Sequence, residues 1–329
     1  MLILAVDTSC DDTSASVVRD GRAILSNVVS SQNAIHLKYG GIVPELASRQ
    51  HIEKILPVVD AALAAAGVKL PDINAIAFTY GPGLIGSLII GACFVKSISF
   101  TQNIPLIAVN HLEGHINSVF LEHAPDYPFL SLVVSGGHTS IYLVNAPDEY
   151  EELARTRDDA AGEAYDKVAK MLGLGYPGGP AIDRLAAQGN PKFIAFPRSN
   201  MKGSDDFSFS GLKTSVLYYI KNHGDSQKAD IAASFQAAVI DVLIKRTIDI
   251  ALQRDVKTIT IAGGVAANSE LRRMFTSAAS NSAIELLLPS PVLCTDNAAM
   301  IAAAAYHSYL KGDFADFSVN PRSNLPVGR

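Results

Sequence analysis

Leu2-Ile3-Leu4-Ala5-Val6-Asp7-Thr8-Ser9-Cys10-Asp11-Asp12-Thr13 opens the chain, and Phe129-Leu130-Ser131-Leu132-Val133-Val134-Ser135-Gly136-Gly137-His138-Thr139 lies well downstream. Each begins as an apolar run of strand length and ends in a turn of small or polar residues. A second apolar run follows each, at 15–18 and at 141–144, so both read as β-hairpins. Another unit also recurs. Ala75-Ile76-Ala77-Phe78-Thr79 leads into Gly81-Pro82-Gly83 and a helix-like run to Phe100, and Thr258-Ile259-Thr260-Ile261-Ala262 leads into Gly263-Gly264 and a helix over 268–279. Strand, glycine turn and helix N-terminus together make a ready anion site. Hairpin, helices and strand–glycine–helix, in that order and twice over, predict a duplicated α/β domain with a ligand cleft between the halves.

Apolar residues at helical spacing predict further helices. One covers 48–65 through Ile52, Ile55, Leu56, Val59 and Leu63, and one covers 158–172 through Ala161, Ala164, Val168 and Leu172. Others fall at 229–252 and 297–310. The length of 329 residues, 48% of them hydrophobic, is ample for two lobes with their own cores.

The net charge of −5 excludes a globally basic nucleic-acid binder, so any such partner needs a local patch. Lys192, Arg198, Lys202 and Lys213, in a polar, loop-like stretch, are the candidates; the alternative is scattered surface charge. Cys10, Cys93 and Cys294 form no C-x-x-C and read as free thiols in a reducing cytosol. Residues 1–6 have no basic lead and run into Asp7, which fits a strand better than a signal peptide. The run at 84–100 is short, rich in small residues and broken by Lys96, which argues against a membrane span.

The strongest chemical signal is His111-Leu112-Glu113-Gly114-His115. Imidazoles four residues apart share one helix face and can share a metal ion. In the hydrolytic H-E-x-x-H pattern a Glu directly follows the first His and serves as general base. Glu113 comes one position later, and at roughly 100° per residue it points about 180° from the midline of the two histidines. Asp296 is the candidate third ligand, because it stands between a strand-like run at 286–289 and the helix at 297–310, where ligands gather in α/β sheets. Two imidazoles and one carboxylate suit Fe(II), and also accept Zn²⁺ or Mn²⁺.

Other constellations carry two readings each. The turn from Asp7 to Thr13, with three carboxylates and three hydroxyls, can bind phosphate or Mg²⁺, or be a solvated turn. Gly136 and Gly137 either admit a ligand to the backbone or supply positive φ. Asn268 is a helix N-cap, a nucleotide contact, or both. Asp159, Glu163 and Asp166 share one face of the helix at 158–172, where Lys167 and Lys170 can pair with them. Gly175-Tyr176-Pro177-Gly178-Gly179-Pro180 ends that helix and starts another, with Asp183 in the new first turn. Gly211-Leu212-Lys213-Thr214 lacks the upstream glycine and the Gly-Lys pair of a P-loop.

Seven ordered blocks carry a nearly full-length resemblance to one family. They are Val6-Asp7-Thr8-Ser9-Cys10-Asp11-Asp12-Thr13, Tyr39-Gly40-Gly41-Ile42-Val43-Pro44-Glu45-Leu46-Ala47-Ser48-Arg49, Asn110-His111-Leu112-Glu113-Gly114-His115, Val134-Ser135-Gly136-Gly137-His138-Thr139, Asp158-Asp159-Ala160-Ala161-Gly162-Glu163-Ala164-Tyr165-Asp166-Lys167, Phe207-Ser208-Phe209-Ser210-Gly211-Leu212-Lys213-Thr214 and Ala262-Gly263-Gly264-Val265-Ala266-Ala267-Asn268. The chain resembles the bacterial branch of the TsaD (formerly Gcp) family, in the actin/sugar-kinase/Hsp70-like (ASKHA, ribonuclease H-like) superfamily. The resemblance implies duplicated actin-like lobes, expected here at 1–128, with 299–329 packing back on it, and at 129–298. It implies an acyltransferase that moves a threonylcarbamoyl group from threonylcarbamoyl-AMP to N6 of adenosine 37 in tRNAs reading codons that begin with adenine.

Carried over residue by residue, the resemblance makes His111, His115 and Asp296 the metal ligands. Val133, Val134, Ser135, Gly136 and Gly137 would line the substrate. Asp166, Gly179, Asp183 and Asn268 would hold the adenylate, and Asp11 would support catalysis. It also implies a cytoplasmic, membrane-free setting with two protein partners: a TsaB-like protein that covers 42–66 and its neighbours, and a TsaE-like ATPase. A TsaC-like enzyme would make the donor. The rival readings are a metalloprotease (the family's historical sialoglycoprotein endopeptidase label), a sugar or acid kinase of the same fold, and a nucleotide-gated binding module.

Overall fold

The structure, a computed structural model, describes residues 1–199, 201 and 203–328. The chain forms two units. The first takes Met1–Ala124, Pro147–Glu149 and the chain from Thr295 onward; the second takes Pro125–Ala146 and Tyr150–Cys294.

In the first unit the elements are β1 (Leu2–Asp7), β2 (Thr13–Arg19), β3 (Ala23–Ser30), α1 (Asn33–His36), α2 (Pro44–Ala66), β4 (Ala75–Gly81), α3 (Ile85–Gln102), β5 (Leu106–Asn110) and α4 (His111–Asn117). The second holds β6 (Phe129–Val134), β7 (Thr139–Ala146), β8 (Glu149–Arg155), α5 (Ala161–Met171), α6 (Gly178–Ala186), α7 (Ser210–His223) and α8 (Lys228–Gln253). It continues through β9 (Thr258–Ala262), α9 (Ser269–Asn281), β10 (Glu285–Leu287) and α10 (Pro291–Cys294), after which α11 (Ala298–Lys311) returns the chain to the first unit.

Each unit is built on a five-stranded mixed sheet, ordered β3-β2-β1-β4-β5 in one and β8-β7-β6-β9-β10 in the other. The two orders are the same once each sheet is counted from its own first strand. β1 pairs antiparallel with β2, Leu2 opposite Arg19, and parallel with β4. β6 pairs antiparallel with β7, Phe129 opposite Val144, and parallel with β9. The expected duplication is therefore a repeated topology. β1 and β6 hold the centres of the sheets, and their residues are buried almost without alternation, as strands covered on both faces must be. Each fully buried Ile or Leu there contributes about 1.5–3 kcal/mol through removal from water.

α3 is long and apolar enough, by length and composition, to cross a membrane. Its Ser87, Leu88, Gly91, Ala92, Val95 and Ser99 are buried, and Thr8 donates a hydrogen bond to the Ser87 carbonyl at 2.8 Å. A Cβ at Gly91 would come within 2.4 Å of the Thr8 hydroxyl oxygen, so the glycine lets α3 lie against the turn after β1.

Four expectations change. α2 starts at Pro44, and of its apolar residues Ile55, Val59 and Leu63 are buried while Ile52 and Leu56 are 65% and 55% exposed. α5 starts at Ala161 because Ala160 is extended (φ −68, ψ 157), so Asp159 precedes the helix instead of sharing its face. α6 starts at Gly178, which puts Asp183 in its second turn. The proposed basic cluster is not free: Lys213 lies on α7 and bonds Asp159, Arg198 pairs with Asp241, and Lys202 lies outside the described residues.

Candidate metal centre

The C-terminal edge of the first sheet sets the position of the two histidines. Asn110 ends β5 and at once caps α4, its side chain accepting the Leu112 N–H at 2.9 Å. His111 is therefore the first helical residue, and His115 follows one turn later on the same face. Their rings stand edge to face with centroids 4.7 Å apart. Gly114 lets α11 approach this helix, because a Cβ there would come within 2.7 Å of Ile301 Cδ1. α11 is capped by Asn297, which accepts the Met300 N–H at 3.1 Å, and this leaves Asp296 just outside the helix.

His115 Nε2 lies 3.2 Å and His111 Nε2 3.6 Å from Asp296 Oδ1. One ligand atom from each of the three residues lies within 4.8 Å of the others. Asp7, the last residue of β1, presents Oδ2 to His111 Nδ1 at 3.7 Å. His111 Nδ1, both ring nitrogens of His115 and Asp7 Oδ2 are buried and have no hydrogen-bond partner among the described residues. An unsatisfied buried polar group costs about 1–3 kcal/mol. Converging imidazole and carboxylate lone pairs are what a divalent cation satisfies, so the residues present fit a metal ion.

The electrostatics agree. Burial works against a charge on His111, but the Asp296 and Asp7 carboxylates outweigh it and lift the imidazole to about 9. Burial, with His111 adding to it, holds His115 below the ordinary histidine value despite Asp296. Burial also opposes ionisation of Asp296, yet the two imidazoles keep its carboxyl well below the usual range.

The turn from Asp7 to Thr13 is built in, not solvated. Asp7, Thr8, Ser9 and Thr13 are all buried. His51 on α2 braces it, with Nδ1 2.7 Å from the Thr13 hydroxyl and Nε2 3.0 Å from the Cys10 carbonyl. Burial raises Asp11, the Asp296 charge adding to the effect while the Cys10 thiol and His36 offset part of it. Burial and the neighbouring Asp11 lift Asp12 to about 7.

Glu113 turns the other way, as its position predicts. Its Oε1 accepts the Gly328 N–H at 2.8 Å, and burial lifts its carboxyl to about 7. It anchors the C-terminal tail, which leaves the protease reading without its base.

The remaining predicted residues lie in the second unit. Val133 and Val134 are wholly buried at the end of β6, and Ser135, Gly136 and Gly137 follow them in the turn to β7. Asp166 accepts the Gly178 N–H at 2.7 Å and ties α5 to the start of α6. Asp183 accepts both the N–H and the hydroxyl of Ser269, at 2.9 and 3.1 Å. Asn268 caps α9 by accepting the Leu271 N–H, and its amide donates to Gln236 at 2.7 Å.

The glycines divide into two kinds. A Cβ at Gly162, Gly178 or Gly263 would strike backbone atoms at 2.4–2.6 Å. Around Gly136, Gly137, Gly179 and Gly264 there is open space, and none of the four has positive φ. At Gly136, Gly137 and Gly264 neither a described neighbour nor a positive φ calls for glycine, while Gly179 is helical and stands before Pro180, whose ring crowds a Cβ there. Asp7 and Gly114 were not singled out in the sequence for the work they do here. The available signal for Asp7 was its place at the C-terminal end of a strand, the ligand-binding edge of such sheets.

A twice-repeated mixed sheet of this order defines the actin-like ASKHA fold, and the His–His–Asp cluster at its edge could hold a metal ion. The crystal structure of T. kodakarensis HypF matches it with a TM-score of 0.66 over 95% of this chain and 48% of that one, at 16% identity, a likeness of fold alone. The family described as TsaD, tRNA N6-adenosine threonylcarbamoyltransferase, matches residues 23–303. A protein of that name from Thermodesulfovibrio yellowstonii is 56% identical over 99% of this chain and 100% of its own length. Another from Syntrophus aciditrophicus is 51% identical over 99% of this chain and 98% of its own. The chain belongs to the TsaD family.

Proposed function

We propose that this chain transfers the threonylcarbamoyl group of threonylcarbamoyl-AMP to N6 of adenosine 37 in tRNAs that read codons beginning with adenine. The reading is carried by the His111–His115–Asp296 cluster in a chain that belongs to the family along nearly its whole length. In the reaction the exocyclic amine attacks the carbamoyl carbon, the bond to the phosphate oxygen breaks, AMP departs and the amine loses a proton.

His111, His115 and Asp296 would hold one divalent ion, Fe(II) in preference to Zn²⁺. When bound, such an ion supplies Lewis acidity and a template for the donor's oxygen atoms. The open backbone at Gly136, Gly137 and Gly179 receives the adenylate without steric penalty. Ser135, beside them, adds a hydroxyl. Asp166 and Asp183 each brace a helix start with their carboxylate, and the Asp183 carboxylate would also accept ribose hydroxyls. Asn268 keeps one amide hydrogen beyond its bond to Gln236. Asp11 is the candidate to take the amine proton, since burial raises its carboxyl toward a useful basicity. No activated side-chain nucleophile is needed, because the donor is already a mixed anhydride.

The exposed Ile52 and Leu56 on α2, with Ile85 and Ile89 on α3, support a TsaB-like partner on this face. A TsaE-like ATPase completes the set, and the free thiols Cys10, Cys93 and Cys294 fit a cytoplasmic enzyme. The test combines the chain, its partners, unmodified tRNA and isotopically labelled threonylcarbamoyl-AMP, with mass spectrometry of the nucleosides. Label on adenosine is the expected result; unlabelled adenosine under metal-replete conditions refutes the proposal.

A further inference from the structure

We infer that Asp7 is the positioning residue of the metal centre: its carboxylate takes the Nδ1–H of His111 and so leaves Nε2, the nitrogen that faces Asp296, with the lone pair that binds the cation. The inference rests on the reading of His111, His115 and Asp296 as metal ligands.

Four observations carry it. Asp7 is 1% exposed at the end of β1, where the strand fixes its backbone. Its Oδ1 accepts the Ser9 N–H at 3.0 Å, which fixes the plane of the carboxylate. Its other oxygen, Oδ2, is buried and unpartnered, and 3.7 Å away lies His111 Nδ1, likewise buried and unpartnered. Finally, the other nitrogen of the same ring faces Asp296 Oδ1 at 3.6 Å, so the imidazole stands between two carboxylates of which only one belongs to the ligand set.

The chemistry then has one consistent assignment. An imidazole that binds a cation is neutral, with its hydrogen on one nitrogen and its lone pair on the other. An ionised carboxylate only accepts, so Asp7 selects the ring form with hydrogen on Nδ1. At 3.7 Å the two atoms lie a few tenths of an ångström beyond hydrogen-bond range, a gap that a small turn of the ring closes. Closing it satisfies two otherwise orphaned buried groups at once. A carboxylate behind a ligating histidine also fixes the ring and makes the ligating nitrogen more basic.

Asp7→Asn reverses the selection. The amide oxygen keeps the bond from the Ser9 N–H, which turns the amide NH₂ toward His111 Nδ1. Nδ1 must then accept, the ring hydrogen moves to Nε2, and the nitrogen needed for the cation is blocked. The full-length protein, labelled with ¹⁵N at histidine and loaded with Zn²⁺, reads the ring form directly by long-range ¹H–¹⁵N correlation. Zn²⁺ affinity is measured alongside by competition with a chelator. The expected result is hydrogen on Nδ1 of His111 in the unaltered protein, and an affinity for Zn²⁺ lowered roughly 10- to 100-fold in Asp7→Asn.

Hydrogen on Nε2 in the unaltered protein, or unchanged Zn²⁺ affinity in Asp7→Asn, overturns the role of Asp7 and leaves the ligand set standing. Failure of the unaltered protein to bind Zn²⁺ at all overturns both. If Asp7→Asn does not fold, the ring form in the unaltered protein decides alone.

Discussion

Gly178 and Gly179 are adjacent at the start of α6, yet replacing each with alanine should change stability to very different extents. A Cβ on Gly178 would lie 2.6 Å from Asp166 Cα, 2.7 Å from Ala169 Cβ and 2.8 Å from the Tyr165 carbonyl oxygen. Restoring ordinary contact requires α6 to withdraw from α5 by about 0.8 Å, and none of these atoms is the end of a flexible side chain. Overpacking of this kind costs roughly 1–3 kcal/mol. The withdrawal also stretches the hydrogen bond from the Gly178 N–H to the Asp166 carboxylate, worth about 1.5–3 kcal/mol, while alanine's better helix propensity returns up to about 1 kcal/mol. The net loss for Gly178→Ala is on the order of 2–4 kcal/mol, a fall of about 4–16 °C in the melting temperature of a unit of this size. Gly179→Ala meets nothing within 4 Å apart from its chain neighbours, and alanine's helix propensity is offset by the crowding of its Cβ against the ring of Pro180, so stability should change by about 1 kcal/mol at most. Its larger cost should appear only with ligand, where a methyl group in the space of the adenylate is worth roughly 1–3 kcal/mol, or about 5- to 150-fold in affinity. Thermal unfolding and equilibrium binding of AMP or threonylcarbamoyl-AMP test the pair. Equal destabilisation by the two substitutions, or unimpaired nucleotide binding by Gly179→Ala, refutes the division of the glycines into packed and ligand-facing kinds.

Asp296→Asn keeps the side chain's volume but removes the anionic ligand, so one bound metal per chain, measured by elemental analysis after gel filtration, should fall to background along with transfer activity. Ile52→Asp with Leu56→Asp alters two exposed positions and should change the melting temperature little, while abolishing co-elution with a TsaB-like protein and the transfer that depends on it. Asp206 governs part of the acid stability. Burial opposes its ionisation, but the Arg155 N–H, the Arg157 guanidinium and the Ser204 hydroxyl outweigh it and lower its carboxyl in the folded chain. Its stabilisation is therefore present above the unfolded carboxylate value, near pH 4, and is lost as the pH falls through the folded value. Asp206→Asn should lower stability at pH 7 by roughly 2 kcal/mol and flatten the loss below pH 4, measured as urea midpoints against pH.

Much of this architecture was legible because buried central strands are written as unbroken apolar runs. β1 and β6, with their turns and the hairpin partners β2 and β7, could be read by eye, and so could the strand–glycine–helix passages at β4 and β9. The strands β3, β5 and β8 escaped: β8 is largely exposed and its charged residues resemble loop, while no glycine turn or recurring unit pointed to β3 or β5. The histidine pair was legible from helical spacing, and the direction of Glu113 followed from about 100° per residue. The same periodicity could not separate Ile55 from Ile52, since it reports that residues are apolar and not which face another element covers. Asp159 was placed on a helix by its spacing, although the backbone turns helical only after Ala160. The partnership of Asp7 with His111 depends on β1 and β5 flanking β4, a pairing that no local pattern records.

The duplication also explains how His111, His115 and Asp296, so far apart in sequence, meet. Each repeat ends its sheet on a fifth strand, β5 in the first and β10 in the second. The chain leaving β5 supplies His111 and His115 within the next helix. The chain leaving β10 passes α10 and re-enters the first unit at Thr295, where it supplies Asp296 and then α11. Both contributions therefore come from the equivalent exit of the two repeats. Gly114 and the cap at Asn297 set the approach of α4 and α11 on which the ligand distances depend. The carboxylate reaches the histidines only after the chain has threaded the entire second unit. Asp296 is nonetheless held within the first unit, because Asn297 caps α11 and α11 packs against α4 at Gly114. Affinity of the proposed metal centre should accordingly follow the integrity of the first unit, to which all three residues belong.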